Sequence, residues 1–248
     1  MKTIHDYSIG IIASHNVIRF LKILLESLWK FDVDRKQIFI GDVGLSESEI
    51  ELLVHKYKVS VIDLPHKNKG TFRTQSPQYK MIINNRVEFL RTIKRIDRKG
   101  AILQLDADTA IADGQFPDID PNAEIVLTVR KDSSYILKFR KHKDAYPNLG
   151  VVFWRLSNQT ETLWNKWAKI KKHVPDNTGQ YEQNIFLHLM EEPEFLSMNV
   201  QKLPCEKYNC YKPEWLIHHP YIIHFKGKEG RDKSKKDPNR KLLEYIAR

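Results

Sequence analysis

Apolar runs of two kinds alternate along the first half of this chain, and that alternation narrows its possible folds more than any other feature. "YSIGIIA" (7–13) is a short β-rich run, and "NVIRFLKILLESLWK" (16–30) repeats its apolar residues at helical spacing, with Asn16 placed to cap it. "QIFIGD" (37–42) reads as a second strand. It is followed by "SESEIELLVHKY", where Ser46 and Glu49 make a capping-box pattern. "VSVIDL" (59–64) is a third strand. The polar loop "PHKNKGTFRTQSP" then leads into a helical stretch, "QYKMIINNRVEFLRTIKRI", and a fourth strand inside "AILQLDADTAI" (101–111). Strand and helix in turn predict an α/β domain with a mostly parallel central sheet flanked by helices.

Beyond about residue 115 the rhythm loosens. "EIVLTVR" (124–130), "NLGVVFWRL" (148–156) and "YIIHF" (221–225) read as strands, "ETLWNKWAKIKKH" and "YEQNIFLHLM" as helices. Neither a repeat nor a Pro- or Ser-rich linker divides the chain, so residues 1–230 are expected to form one domain, with a basic C-terminal extension over 231–248. Lys plus Arg number 41 against 31 for Asp plus Glu, a net charge of +10 that favours anionic partners. The basic residues are spread along the chain, with no RNP, KH or zinc-finger pattern, so no specific nucleic acid is expected. Cys205 and Cys210 read as free or buried thiols, with a local disulfide left open. No run has the length of a signal peptide or a membrane span. A cytoplasmic protein is expected, able to sit against an anionic membrane surface through its basic end.

Asp106 and Asp108 carry the chemistry. Residues i and i+2 of a strand share a side, so both carboxylates face one way where the fourth strand ends. Two such charges stay ionised together only beside something positive. Ligands of parallel sheets collect at the carboxyl ends of strands, which brings His15, Asn16 and Asp42 to the same cleft. A hard cation such as Mg²⁺ or Mn²⁺ takes one or two carboxylates and shares itself with phosphate oxygens. An ordinary turn with two solvated carboxylates is the plain alternative. A metal-dependent phosphatase also uses Asp-x-Asp, but at its first strand and with a threonine where this chain has Ala110.

Taken in order, these segments resemble a nucleotide-sugar-dependent glycosyltransferase of the GT-A fold, whose Asp-x-Asp follows the fourth strand. The resemblance runs with gaps from "YSIGIIASHN" to "IIHFKGK". It implies a single GT-A-like domain, with a nucleotide-binding part over about 1–115 and an acceptor part over about 116–230. Asp106 and Asp108 would hold Mn²⁺ or Mg²⁺, with Asp106 also reaching the donor. "IIHFKGK" resembles the segment that supplies His224 as third metal ligand and Lys226, Gly227 and Lys228 as phosphate contacts. "FIGDVGLSE" points to Asp42 on the nucleoside, beside Ser14, His15 and Asn16. "NKGTF…NNRVEF" puts Gly70 and Arg86 in matching places near Lys80, on the donor side. "NLGVVFWR" implies acceptor contacts for Asn148 and Gly150, and "YEQNIF" a catalytic Glu182 with Gln183, the glutamate standing where many members carry Asp. The implied partners are a nucleotide-diphosphate sugar, with UDP the nucleotide most frequent in the family, and a glycan or glycolipid acceptor.

Each residue also has an ordinary reading. Asp42 suits a turn, Asn148 the turn "YPN", Glu182 the first turn of a helix, and Lys80, Arg86, Lys226 and Lys228 a charged surface. His224 suits a strand end, and Trp154, Trp164, Trp167 and Trp215 suit a core or groove more than sugar stacking.

Overall fold

The computed structural model describes residues 2–65, 79–97, 99–130, 146–170, 181–225 and 238–247. Beside a short pair of β1 (Lys2–Thr3) with β7 (Gln115–Phe116), a seven-stranded sheet forms its centre, built from β2 (Ser8–Ala13), β3 (Ile38–Asp42), β4 (Ser60–Asp63), β5 (Ala101–Asp106), β8 (Ile125–Arg130), β9 (Tyr146–Arg155) and β10 (Val200–Pro204). The strand order is β10-β8-β9-β5-β2-β3-β4. Only β9 runs antiparallel to its neighbours, β5 and β8. From β2 the chain steps outward through β3 to β4, then returns to place β5 on the other side of β2. That reversal opens a crevice between the ends of β2 and β5, the usual ligand position in such sheets.

Alternation along the strands divides the core between two faces. Leu103 and Leu105 of β5 and Val151 and Phe153 of β9 pack with Leu21, Leu24, Leu25 and Leu28 of α1 (Ile18–Lys30). Ile102, Val152 and Trp154 point the other way, against α3 (Tyr79–Ile96), α4 (Asn158–Lys169) and α5 (Tyr181–Leu189). α3 comes so close to β2 that a Cβ at Gly10 would lie 3.0 Å from Ile93 Cδ1. Trp154, Trp164 and Trp167 are fully buried here, with Trp154 and Trp164 edge-to-face at 5.7 Å, so they are core aromatics as expected. Trp215 is half-buried and packs edge-on against Tyr211.

The capping box of Ser46 and Glu49 opens α2 (Glu47–Glu51) as the sequence predicts. Asn16 does not cap α1. It lies inside a 3₁₀ turn, His15–Val17, and α1 begins at Ile18 without a side-chain cap. The turn relieves the need for a cap by supplying backbone bonds at the helix start, such as Val17 N–H to Ser14 O. Cys205 and Cys210 are buried thiols with no disulfide between them, and burial pushes the Cys210 thiol up to about 11.

A small two-stranded sheet projects from the end of β5: β6 (Thr109–Ile111) pairs antiparallel with β11 (Ile222–His224). α1 anchors it. Ser27 Oγ donates to Leu24 O at 2.7 Å and accepts from Ile111 N–H at 2.9 Å, all buried. Ser27→Ala would leave that N–H without a partner and is expected to cost about 1–3 kcal/mol of stability, measurable by urea denaturation. From the other side, α8 (Pro238–Ile246), which follows the short helices α6 (Pro193–Leu196) and α7 (Cys205–Tyr208) in the chain, inserts Leu242 among Ala110, Ile223 and Phe225, and Lys30 Nζ donates to Ile246 O. The described part of the C-terminal extension is therefore packed against the domain.

Candidate active site

At the end of β5 the chain turns through residues 107–108, and Thr109 Oγ1 closes the turn by donating to Asp106 O at 2.8 Å. β6 then pairs with β11 in a register that sets Thr109 opposite His224, and Phe225 N–H donates to Asp108 O. The buried His224 imidazole consequently faces both carboxylates, with Nε2 3.1 Å from Asp108 Oδ1 and 4.0 Å from Asp106 Oδ2. One ligand atom from each of the three residues falls within 4.8 Å of the others. Two carboxylates and one imidazole are a donor set suited to a divalent cation.

An irregularity in the sheet completes the site. Leu127 of β8 faces Val152 of β9, but the next residue, Thr128, faces Asn148, so residues 149–151 bulge out of register. The bulge turns the Leu149 carbonyl away from β8, and Arg86 Nη1 and Gln104 Nε2 both donate to it at 3.3 Å. It also brings Gly150 against the cluster. A Cβ there would meet His224 Cε1 at 2.7 Å and Asp106 Oδ2 at 2.9 Å. Glycine is the residue that leaves that space to the donor atoms.

Arg86 brings a positive side chain to the pair. Its side chain descends from α3, buried, and Nη2 stands 3.5 Å from Asp106 Oδ1. Burial is the strongest influence on the Asp106 carboxyl and pushes its pKa above the ordinary range. Arg86 and His224 pull it back, and the Asp108 charge adds to the rise. Arg86 does not fully offset the burial and the Asp108 charge, and a further positive charge at the cluster would add to what it supplies.

Set beside known proteins, a model of the nucleotide-diphospho-sugar transferase family matches residues 48–237. The chain belongs to that family. Among curated proteins no sequence match is found. Solved structures resemble this transferase over nearly its whole length. The galactosyltransferase LgtC, in complex with donor and acceptor sugar analogs, is 15% identical, covers 96% of this chain and 95% of its own, and gives a TM-score of 0.57. The bifunctional glycosyltransferase WbbM is 15% identical at a TM-score of 0.59, with 97% of this chain matching 49% of WbbM. GlyE of Streptococcus pneumoniae TIGR4 is 14% identical at a TM-score of 0.58, covering 98% of this chain and 61% of its own. At such identities the likeness is one of fold. It is the GT-A fold that the residues resemble, and family and fold together make the protein a glycosyltransferase rather than a phosphatase.

Other residues of this glycosyltransferase fall along the same sheet edge. Register places Asp106 beside Ile12 and Asp42 beside Ala13, so the ends of β2, β3 and β5 converge. Ser14 is buried at the end of β2, and the exposed His15 ring bonds through Nδ1 to Glu49 Oε1 at 2.8 Å. Burial alone would raise the Glu49 carboxyl, but hydrogen bonds from Ser46 and His15 outweigh it and hold the pKa below the usual value. Asp42 is buried and accepts from Gly44 N–H and Leu45 N–H at 2.7 Å, a turn role. Asn148 is buried in β9, where Oδ1 accepts from Gly150 N–H at 3.2 Å and braces the bulge. Lys80 opens α3 and Glu182 opens α5, their side chains outside the description. Gln183 is half-buried, and its Oε1 has no hydrogen-bond partner among the described residues. Gly70, Lys226, Gly227 and Lys228 lie outside the described residues.

Sequence reasoning missed two buried side chains behind His224, Asn209 and Thr128. Neither belongs to a spacing or charge pattern that marks it. Thr128 comes from β8 and Asn209 from the end of the short helix Cys205–Tyr208, and only tertiary packing brings both to the histidine of β11.

Proposed function

We propose that this glycosyltransferase takes its sugar from a nucleoside-diphosphate donor, with UDP as nucleotide, and delivers it to a glycan or glycolipid hydroxyl with the help of Mn²⁺ or Mg²⁺. The observation that carries this reading is the Asp106–Asp108–His224 cluster at the reversal of strand order. When bound, the cation would stabilise negative charge growing on the leaving diphosphate. Asp106, Asp108 and His224 would hold it, while Arg86 pairs with the other oxygen of Asp106 and favours its charged form.

The remaining roles follow the resemblance of the sequence segments to the family. Ser14, His15, Asn16 and Asp42 border the nucleoside. Gly70, Lys80, Lys226, Gly227 and Lys228 serve the diphosphate. Glu182 takes the proton of the acceptor hydroxyl as general base. Gln183 works beside Glu182, and the buried Asn148 serves the acceptor side by bracing the bulge that presents Gly150. No helix among the described residues is long and apolar enough to cross a membrane. The membrane contact expected of the basic C-terminal stretch gains no support; residues 231–237 lie outside the described residues, and α8 beyond them packs against the domain.

A donor screen that measures released nucleotide tests this, run with Mn²⁺, with Mg²⁺ and with EDTA. Release from a UDP-sugar that depends on added cation is the expected result. A parallel thermal scan should show a higher melting temperature with UDP-sugar plus Mn²⁺ and none with NAD or single-stranded DNA. Turnover that is indifferent to EDTA would remove the cation from the reading.

A further inference from the structure

We propose that Asn209 is a positioning residue that holds the proton of His224 on Nδ1, leaving the Nε2 lone pair to face Asp106 and Asp108. This role rests on the cation reading above. It follows from the direction of a chain of buried hydrogen bonds. Thr128 Oγ1 lies 2.9 Å from Asn148 O and 3.3 Å from Val151 O, and backbone carbonyls only accept. The single hydroxyl proton therefore points at those oxygens. Asn209 Nδ2 stands 3.0 Å from the same hydroxyl, whose remaining capacity is to accept, so the amide NH₂ belongs on that side. Reversing the amide would turn the hydroxyl proton toward Asn209 and leave two oxygens facing each other at 2.9 Å in a buried site.

With its NH₂ committed to Thr128, Asn209 presents Oδ1 to His224 Nδ1 at 2.8 Å. An acceptor there requires a proton on Nδ1. The unprotonated Nε2 then lies 3.1 Å from Asp108 Oδ1, two electron-rich atoms in contact, an arrangement that a cation between the donor atoms relieves. The rival tautomer would put the proton on Nε2, donate it to Asp108 and spoil the nitrogen as a ligand. Asn209 is fully buried, and its backbone N–H is bound to Cys205 O, so the side chain has a fixed base.

Nitrogen-15 NMR of the histidine rings, recorded on metal-free full-length protein at about pH 9 where a histidine ring carries one proton, reads the tautomer directly. The expected result is a proton on Nδ1 of His224. Asn209→Leu and Thr128→Val should shift it toward Nε2 and weaken binding of Mn²⁺ alone, without nucleotide, by about 10–100-fold. Thr128→Ser keeps the hydroxyl and should restore both. A wild-type proton on Nε2 overturns the proposal, whatever happens to the variants. So does undiminished Mn²⁺ affinity in folded Asn209→Leu and Thr128→Val. Wild-type protein with the Nδ1 proton but no affinity for Mn²⁺ would instead remove the cation reading and leave the hydrogen-bond chain standing.

Discussion

Asp108→Asn is expected to lower sugar transfer by about 10²–10⁴-fold and to leave the fold intact. Cation stabilisation of a leaving diphosphate is worth several kcal/mol, and each 1.36 kcal/mol is about a factor of ten. The substitution is nearly isosteric, but it replaces a carboxylate with a neutral amide at the residue nearest His224 Nε2, 3.1 Å away. It also removes a charge that repels Asp106, so no loss of melting temperature is expected from electrostatics. Released nucleotide measured across a Mn²⁺ titration, beside circular dichroism of the same samples, checks both halves. Activity that survives the substitution and also survives EDTA would refute the role of the carboxylate pair.

A single methyl group should do nearly as much damage at Gly150. The Gly150 backbone is not in the left-handed region, so alanine there meets no conformational penalty. The cost is steric. The new Cβ would lie 2.7 Å from His224 Cε1, 3.0 Å from its Nδ1 and 2.9 Å from Asp106 Oδ2. The imidazole cannot swing aside while Asn209 holds it, and Asp106 is tied to Arg86. Gly150→Ala should therefore weaken Mn²⁺ binding about 10–100-fold and destabilise the protein by about 1–3 kcal/mol through overpacking. Calorimetric titration with Mn²⁺ and urea denaturation measure the two effects separately. Mn²⁺ affinity equal to wild type would show that the cation does not sit between His224 and Asp106.

What could be read in the sequence was local or periodic. The alternation of strands and helices gave the α/β sheet, because periods of 2 and 3.6 residues are properties of the backbone alone. Asp106 and Asp108 were legible because an apolar strand has a definite exit, where paired charges need a partner. Asn16 misled, because a capping residue type also fits a 3₁₀ turn. Arg86 was singled out by the resemblance alone; its own pattern shows one basic residue among several on a helix, since nothing local tells which face of α3 meets the Leu149 carbonyl.

The sequence by itself determined the order of elements, the aspartate pair and the candidate histidine. The tertiary structure alone decided how they meet. The β6–β11 pairing swings His224 onto Asp108, the bulge at residues 149–151 places Gly150 against both, and Asn209 and Thr128 orient the ring from behind. Those contacts join residues far apart in the chain, and their geometry is set by strand register and close packing, which no local pattern encodes.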